Sequence, residues 1–297
     1  MVSPISFSIP EEKLCAFENV YTCKTKMLSS LIPGDTSTYI YHTEEDYYNE
    51  YKKSYFATTT KKAGWDCMRH YEILANGCIP YFIDIEQCPP HTMHLCPKQL
   101  FLEANVLYNR FKIKDIDCLT DADKNKYYAL LRQLYDYTKN HLTTYKMAKY
   151  ILRMTQFEHV SKILYLSGST SPDYLRCATL HGFKKIFGMN CHDYPKIPHI
   201  YKSHNGNDLY GKGFTYSRLL DDSTHNDHLD KSIEQDIKNK CYDIIIYGSY
   251  HRGMPFYDLV SNVYKPNEII LLCGEDIHDS CYNHALRHGH NIFVREL

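Results

Sequence analysis

Apolar residues recur along this chain with two periods, and the alternation between them predicts its elements. Residues 54–59, SYFATT, read as a buried strand, and Met68, Tyr71, Ile73, Leu74 and Ala75 put apolar mass on the inner side of a short helix. Gly77, just past the last periodic residue, predicts the helix stop, and Ile79-Pro80-Tyr81-Phe82 follows as a strand. Strand, loop, helix, strand is the order in which an α/β sheet binds ligands beyond its strand ends.

Extended pieces are expected at Ile5–Ile9 and Thr38–His42, and helices over residues 44–51 and 99–108. From Asp121 to Met154 the pattern is continuously helical. A second alternation begins at Lys162–Leu166, a strand followed by the small-residue turn 167–173 and a helix over Tyr174–Phe187. Strands at Cys241–Tyr247, Glu268–Leu272 and Asn291–Val294 then alternate with helices over 254–264 and 280–288. Tyr194–Leu220, with Gly206, Gly211 and Gly213, reads as a long loop of the kind that often carries function. The whole predicts an α/β protein with two Rossmann-like domains facing a central cleft, residues 1–157 with a helical tail and residues 158–297.

Charge narrows the classes of partner. With 34 Lys+Arg against 35 Asp+Glu there is no basic excess, so a nucleic-acid partner is not expected. The N-terminal MVSPISFSIPEEK has no basic region leading into an apolar core, and no run is long and apolar enough to span a membrane. Twelve scattered cysteines then read as reduced thiols, and the expected location is cytoplasmic.

The chemistry concentrates around the first helix. Lys61-Lys62-Ala63-Gly64-Trp65 approaches its N-terminus, where unpaired N–H groups and the helix dipole add to the lysine charges and favour an anion. Arg69 and Glu72, three apart, are expected on one exposed side. The run R-x-x-E-x-x-x-x-G-x-I-P, here Arg69, Glu72, Gly77, Ile79 and Pro80, resembles the donor-site segment of exostosin-like glycosyltransferases and, more loosely, of the GT-B group. The match is dense over roughly 20 residues. An ordinary αβ unit with Arg69 and Glu72 as a surface pair is the competing explanation. The resemblance implies a UDP- or GDP-sugar donor, with Lys61, Lys62, Gly64, Trp65 and Arg69 at the diphosphate and Glu72 on the ribose. It further implies a glycan or other hydroxyl acceptor, and no required cofactor or metal. Exostosin relatives generally work in the secretory lumen, so a cytosolic chain of this kind suggests a bacterial or viral relative.

Three polar clusters follow predicted strand ends: Ser167–Asp173, Ser249-Tyr250-His251-Arg252 and Gly274-Glu275-Asp276-Ile277-His278. The acceptor's proton needs a base, and Glu275 or Asp276 is expected in that role, with His251 and His278 as rivals. Cys88, His91, His94 and Cys96 are four potential zinc ligands, but they lack the second ligand pair of a structural zinc site and read as a loop over the donor pocket. In chains of the resembled kind, a stretch like the C-terminal NIFVREL leads into one like the N-terminal SPISFSIPEEK. Their places here predict a circular permutation with neighbouring termini. Two alternatives stay open: a non-catalytic nucleotide or glycan binding module of the same fold, and a Rossmann-type methyltransferase using the 167–173 loop.

Overall fold

The computed structural model describes residues 1–206, 208–276 and 282–297. Strands β1 (Val2–Pro4), β2 (Lys26–Leu28), β3 (Ser54–Thr59), β4 (Ile79–Phe82), β5 (Ile163–Leu166), β6 (Cys191–Tyr194), β7 (Ile244–Tyr247), β8 (Ile269–Cys273) and β9 (Asn291–Val294) form two parallel sheets. Among and around them run helices α1 (Glu44–Lys52), α2 (Met68–Ala75), α3 (Lys98–Phe111), α4 (Asp121–His141), α5 (Thr144–Thr155), α6 (Tyr174–Phe187), α7 (Asp227–Lys238), α8 (Tyr257–Val263) and α9 (Tyr282–His288). The α/β class follows from the alternation.

The smaller sheet has the order β2-β3-β4, the larger β1-β9-β8-β7-β5-β6. In the larger sheet, side chains two apart along each strand enter the same core. Ile163 and Tyr165, Ile244 and Ile246, Ile270 and Leu272 join the cluster that runs on to the smaller sheet through α4 and α5. Leu164 and Leu166, Ile245 and Tyr247, Ile269 and Leu271 pack on the other face beneath α7 and α8. Both faces are therefore covered, which explains why β7 and β8 are uninterrupted apolar runs. Truncating one such residue, Ile246→Ala for example, would cost about 2–5 kcal/mol.

The chain leaves β5 to one side for β6 and returns on the other side for β7, so the strand order reverses between β5 and β7. Parallel α/β sheets bind ligands at the carboxyl ends beside such a reversal. The first strand pairs with the last: Ser3 lies opposite Phe293, and Ile292 N–H donates to Met1 O at 2.9 Å. The first and last strands are thus neighbours, but they run parallel, so Met1 lies at the end where β9 begins and Leu297 beyond the end where it finishes.

Local departures from the expected elements have identifiable causes. The long helix breaks between α4 and α5, because Ile9 inserts there: its N–H bonds Leu142 O, its carbonyl accepts from Thr144 N–H, and Thr143 caps α5. Ile5–Ile9 is an extended connection, bonded to Val294 at one end and set opposite Thr143 at the other, and Thr38–His42 begins in a single tight turn and forms no strand. Helix α2 stops at Gly77, which adopts φ +62° and leaves no room for a Cβ against Val20.

Candidate active site

The loop 60–67 enters α2 between the two sheets, and several ties fix it. Lys61 N–H and Thr60 Oγ1 donate to Asp84, and Lys61 Nζ lies 5.3 Å from the centre of the Trp65 ring. His70 sits between Trp65 O at 2.8 Å and Thr59 Oγ1 at 2.9 Å. A carbonyl only accepts, so Nε2 carries the proton and Nδ1 accepts from Thr59. Burial holds this imidazole neutral, with its pKa pushed down to about 3.

The backbone N–H groups expected to hold a diphosphate already have an anion. Trp65 N–H donates to Glu296 Oε2 at 3.1 Å and Asp66 N–H to Glu296 Oε1 at 3.0 Å. Gly64 is buried against the same carboxylate, and a Cβ there would lie 2.6 Å from Glu296 Oε1. Arg295, fully buried, stacks over Phe7 and reaches Asp66 O and Glu296 on one side, Gly274 O, Glu275 O and the Asp276 carboxylate on the other. Its guanidinium therefore joins the loop before α2 to the loop after β8. The buried Asp66 carboxylate accepts from Phe7 N–H at 2.6 Å and Tyr71 hydroxyl at 2.8 Å. Burial outweighs these bonds and Arg295, and raises its pKa to about 6.

Arg69 and Glu72 do not form an exposed pair. Every residue of α2 except Arg69 is buried, because α1 and the loop 210–217 cover the face expected to be open. Glu72 is 7% exposed and accepts from Thr215 Oγ1 at 2.5 Å and Tyr47 hydroxyl at 2.6 Å, and burial raises its pKa. Thr215, with φ +74°, also bonds Tyr48 and, through its N–H, Glu44. Arg69 Nη1 is buried with no hydrogen-bond partner among the described residues. A buried guanidinium nitrogen left without an acceptor is costly, and it marks the place where an anion would bring the largest gain. Lys61 and Lys62 stand exposed at the rim of the same loop.

On the larger sheet, the three strand-end clusters do meet. Asp173 caps α6 through Arg176 N–H at 2.9 Å, and its other oxygen accepts from Ser249 Oγ at 2.8 Å and pairs with Arg252 Nε at 3.2 Å. Gly168 and Gly253 touch backbone to backbone, which brings the loops after β5 and β7 together beside the strand-order reversal. His251 Nε2 lies 2.9 Å from Glu275 Oε1 and 3.9 Å from Asp173 Oδ2, while Nδ1 is buried with no partner among the described residues. Nε2 meets two neighbours of opposite demand, the Glu275 carboxylate at 2.9 Å, which takes a proton from it, and Arg252 Nε, which donates toward it at 3.4 Å; where the closer carboxylate holds the proton on Nε2, Nδ1 presents a bare lone pair. Burial lowers the His251 pKa even though Asp173 and Glu275 act in the opposite direction. Of the expected bases, Asp276 is engaged by Arg295, Glu275 is half-exposed and engaged by His251, and His278 lies outside the described residues.

The Cys88–Cys96 segment does not converge on a point. Cys96 is buried against the Tyr71 hydroxyl at 3.3 Å, while His91 and His94 are exposed. Among the described residues no helix is long and apolar enough to cross a membrane. Two open surface depressions, about 690 and 530 Å³, lie along α4 at Asp121–Arg132 and between α7 and α8, away from both clusters. Sequence reasoning passed over Thr215, Arg295 and Glu296 as site residues. The signal available for the last two was the likeness of the C-terminal REL to a segment that precedes the donor domain. Compared with models of known families and with curated proteins, the chain matches none.

Proposed function

We propose that the chain is a GT-B-type glycosyltransferase that moves a sugar from a nucleoside diphosphate to a hydroxyl acceptor between its two sheets. The observation that carries this reading is the buried Arg69 nitrogen, without a partner among the described residues, on the helix that also holds the buried Glu72, while Arg295 ties the loop before that helix to the loop that holds Glu275. Arg69 supplies the charge-assisted donor for the diphosphate, with Lys61 and Lys62 at the rim. Glu72 takes the ribose hydroxyls once Thr215 and Tyr47 release it. The acceptor oxygen bonds to the anomeric carbon as the bond to the diphosphate breaks, and the acceptor proton passes to His251 Nδ1. Glu275 holds the other ring nitrogen, the role a carboxylate plays behind a catalytic histidine. The bases Glu275 and Asp276 are thereby replaced by His251 in this scheme.

In a circularly permuted arrangement the end of β9 would be joined to the start of β1, and because the two strands run parallel that joint would be a crossover connection. The test is a thermal-shift screen over UDP- and GDP-sugars, followed by mass detection of a glycosylated acceptor. The reading expects at least one nucleoside diphosphate to raise Tm and at least one donor to turn over. Stabilisation without turnover would indicate the binding module. S-adenosylmethionine raising Tm while every nucleoside diphosphate fails would replace the reading with a methyltransferase.

A further inference from the structure

At the edge strand β6 and the first turn of α7, a group of ionisable side chains converges outside the site described above. His225 has its side chain 1% exposed, and its Nδ1 lies 3.0 Å from Asp193 Oδ1. That carboxylate is held by Lys184 Nζ at 2.7 Å and by the Tyr201 hydroxyl at 2.9 Å. Because a carboxylate only accepts, His225 carries a proton on Nδ1, and a neutral ring then presents a lone pair at Nε2. That lone pair points at two more acceptors, Asp230 Oδ2 at 3.3 Å and Asp227 Oδ1 at 3.4 Å. Three acceptors facing one another are met either by a second proton on the ring or by a metal cation among them.

The spacing fits a metal ion. Two ligands at 2.0–2.1 Å from a tetrahedral ion stand about 3.3–3.4 Å apart. The three ligand atoms also lie within 4.8 Å of one another. The supporting bonds are those of a metal site: Asp193 orients the ligating histidine through its far nitrogen. His192 Nε2 fixes the second oxygen of Asp230 at 2.8 Å and is itself held by the Tyr242 hydroxyl at 2.7 Å. Asp227 is 83% exposed, so the cluster opens to solvent on one side.

We propose that His225, Asp227 and Asp230 bind one divalent first-row transition-metal ion, with a further position open to water. One imidazole and two carboxylates suit Mn²⁺ or Zn²⁺ and leave thiolate-seeking ions no advantage. The spacing His-x-Asp-x-x-Asp is local: Asn226 caps α7, and Asp227 and Asp230, three apart, share one side of its first turn.

The test is a titration of the full chain with Mn²⁺, followed by electron paramagnetic resonance of the free ion, because the cysteines compete poorly for Mn²⁺. The expected result is one tight equivalent that Zn²⁺ displaces, weakened about tenfold or more in Asp227→Asn and in Asp230→Asn. The exposed control Glu234→Gln should bind as the wild type does. Asp227 is exposed and contacts only the cluster, so Asp227→Asn should fold, which circular dichroism checks. No bound Mn²⁺ in the wild type would overturn the proposal and leave His225 as a doubly protonated ring. Equal binding by both asparagine variants would also overturn it. Neither result depends on sugar transfer.

Discussion

At the loop before α2, the backbone N–H groups of Trp65 and Asp66 end on a carboxylate the chain itself supplies. At the ends of β5, β7 and β8, the polar side chains end on one another and leave a histidine nitrogen bare. The first region is a filled anion site with an unpaired guanidinium beside it. The second is a charged cluster arranged around a base. Under the proposed reading the two halves would divide the work of a displacement reaction, one neutralising a leaving group and the other taking a proton. The same reading requires the donor side to rearrange locally, because Thr215 and Tyr47 occupy Glu72.

The contrast is most easily broken at the base. His251→Ala should reduce transfer by about 10²–10⁴-fold with little change in Tm, measured as kcat on the best donor. Burial lowers the His251 pKa, so the acid limb of kcat/KM should lie below pH 6.5. Full activity in that variant would remove the second region from the chemistry.

The filled cradle is tested by emptying it. Glu296→Ala leaves the Trp65 and Asp66 N–H groups buried without an acceptor, at about 1–3 kcal/mol each, and Tm should fall. Added inorganic pyrophosphate should restore part of the loss if the vacated N–H groups bind anions. A fall in Tm with no recovery would make this region purely structural.

Two buried groups of the same region should respond to pH with opposite sign. Asp66, raised by burial from 3.8 to about 6, favours folding fully below 3.8 and loses that contribution as pH rises through 6, about 3 kcal/mol in all. His70, lowered by burial from 6.5 to about 3, contributes above 6.5 and loses that as pH falls toward 3. Relative to wild type, Asp66→Asn should therefore gain Tm between pH 4 and pH 7. A pH-independent difference would mean that the Asp66 carboxyl does not titrate in this window. The smallest effect is expected at Thr215→Val, which removes one bond to Glu72 at about 1 kcal/mol and should tighten donor binding by a few-fold. Weaker donor binding would show that Thr215 assists the site.

What the sequence made legible was local. Strands β3, β4, β5, β7, β8 and β9 and helices α1, α2, α3 and α6 carry long apolar patterns or clear stops, and they lie close to where those patterns place them. The three-residue strands β1 and β2 are too short for a period, and β6, CHDY, is polar because His192 and Asp193 serve the network beside α7. The convergence of the three strand-end loops could be anticipated, since parallel strands align their carboxyl ends. The burial of Glu72 could not, because the residue that covers it, Thr215, lies 143 positions away. Glu296 is likewise 231 positions from Trp65, and no periodicity connects the two.

The claim that the rest depends on is that Arg69 awaits a diphosphate. Isothermal titration of UDP and GDP into the wild type and into Arg69→Ala, with matched circular dichroism, tests it most directly. Binding of at least one nucleotide that weakens about tenfold or more in the variant is the predicted result, the loss of one charge-assisted hydrogen bond. Equal binding by both proteins, or none by either, would contradict it.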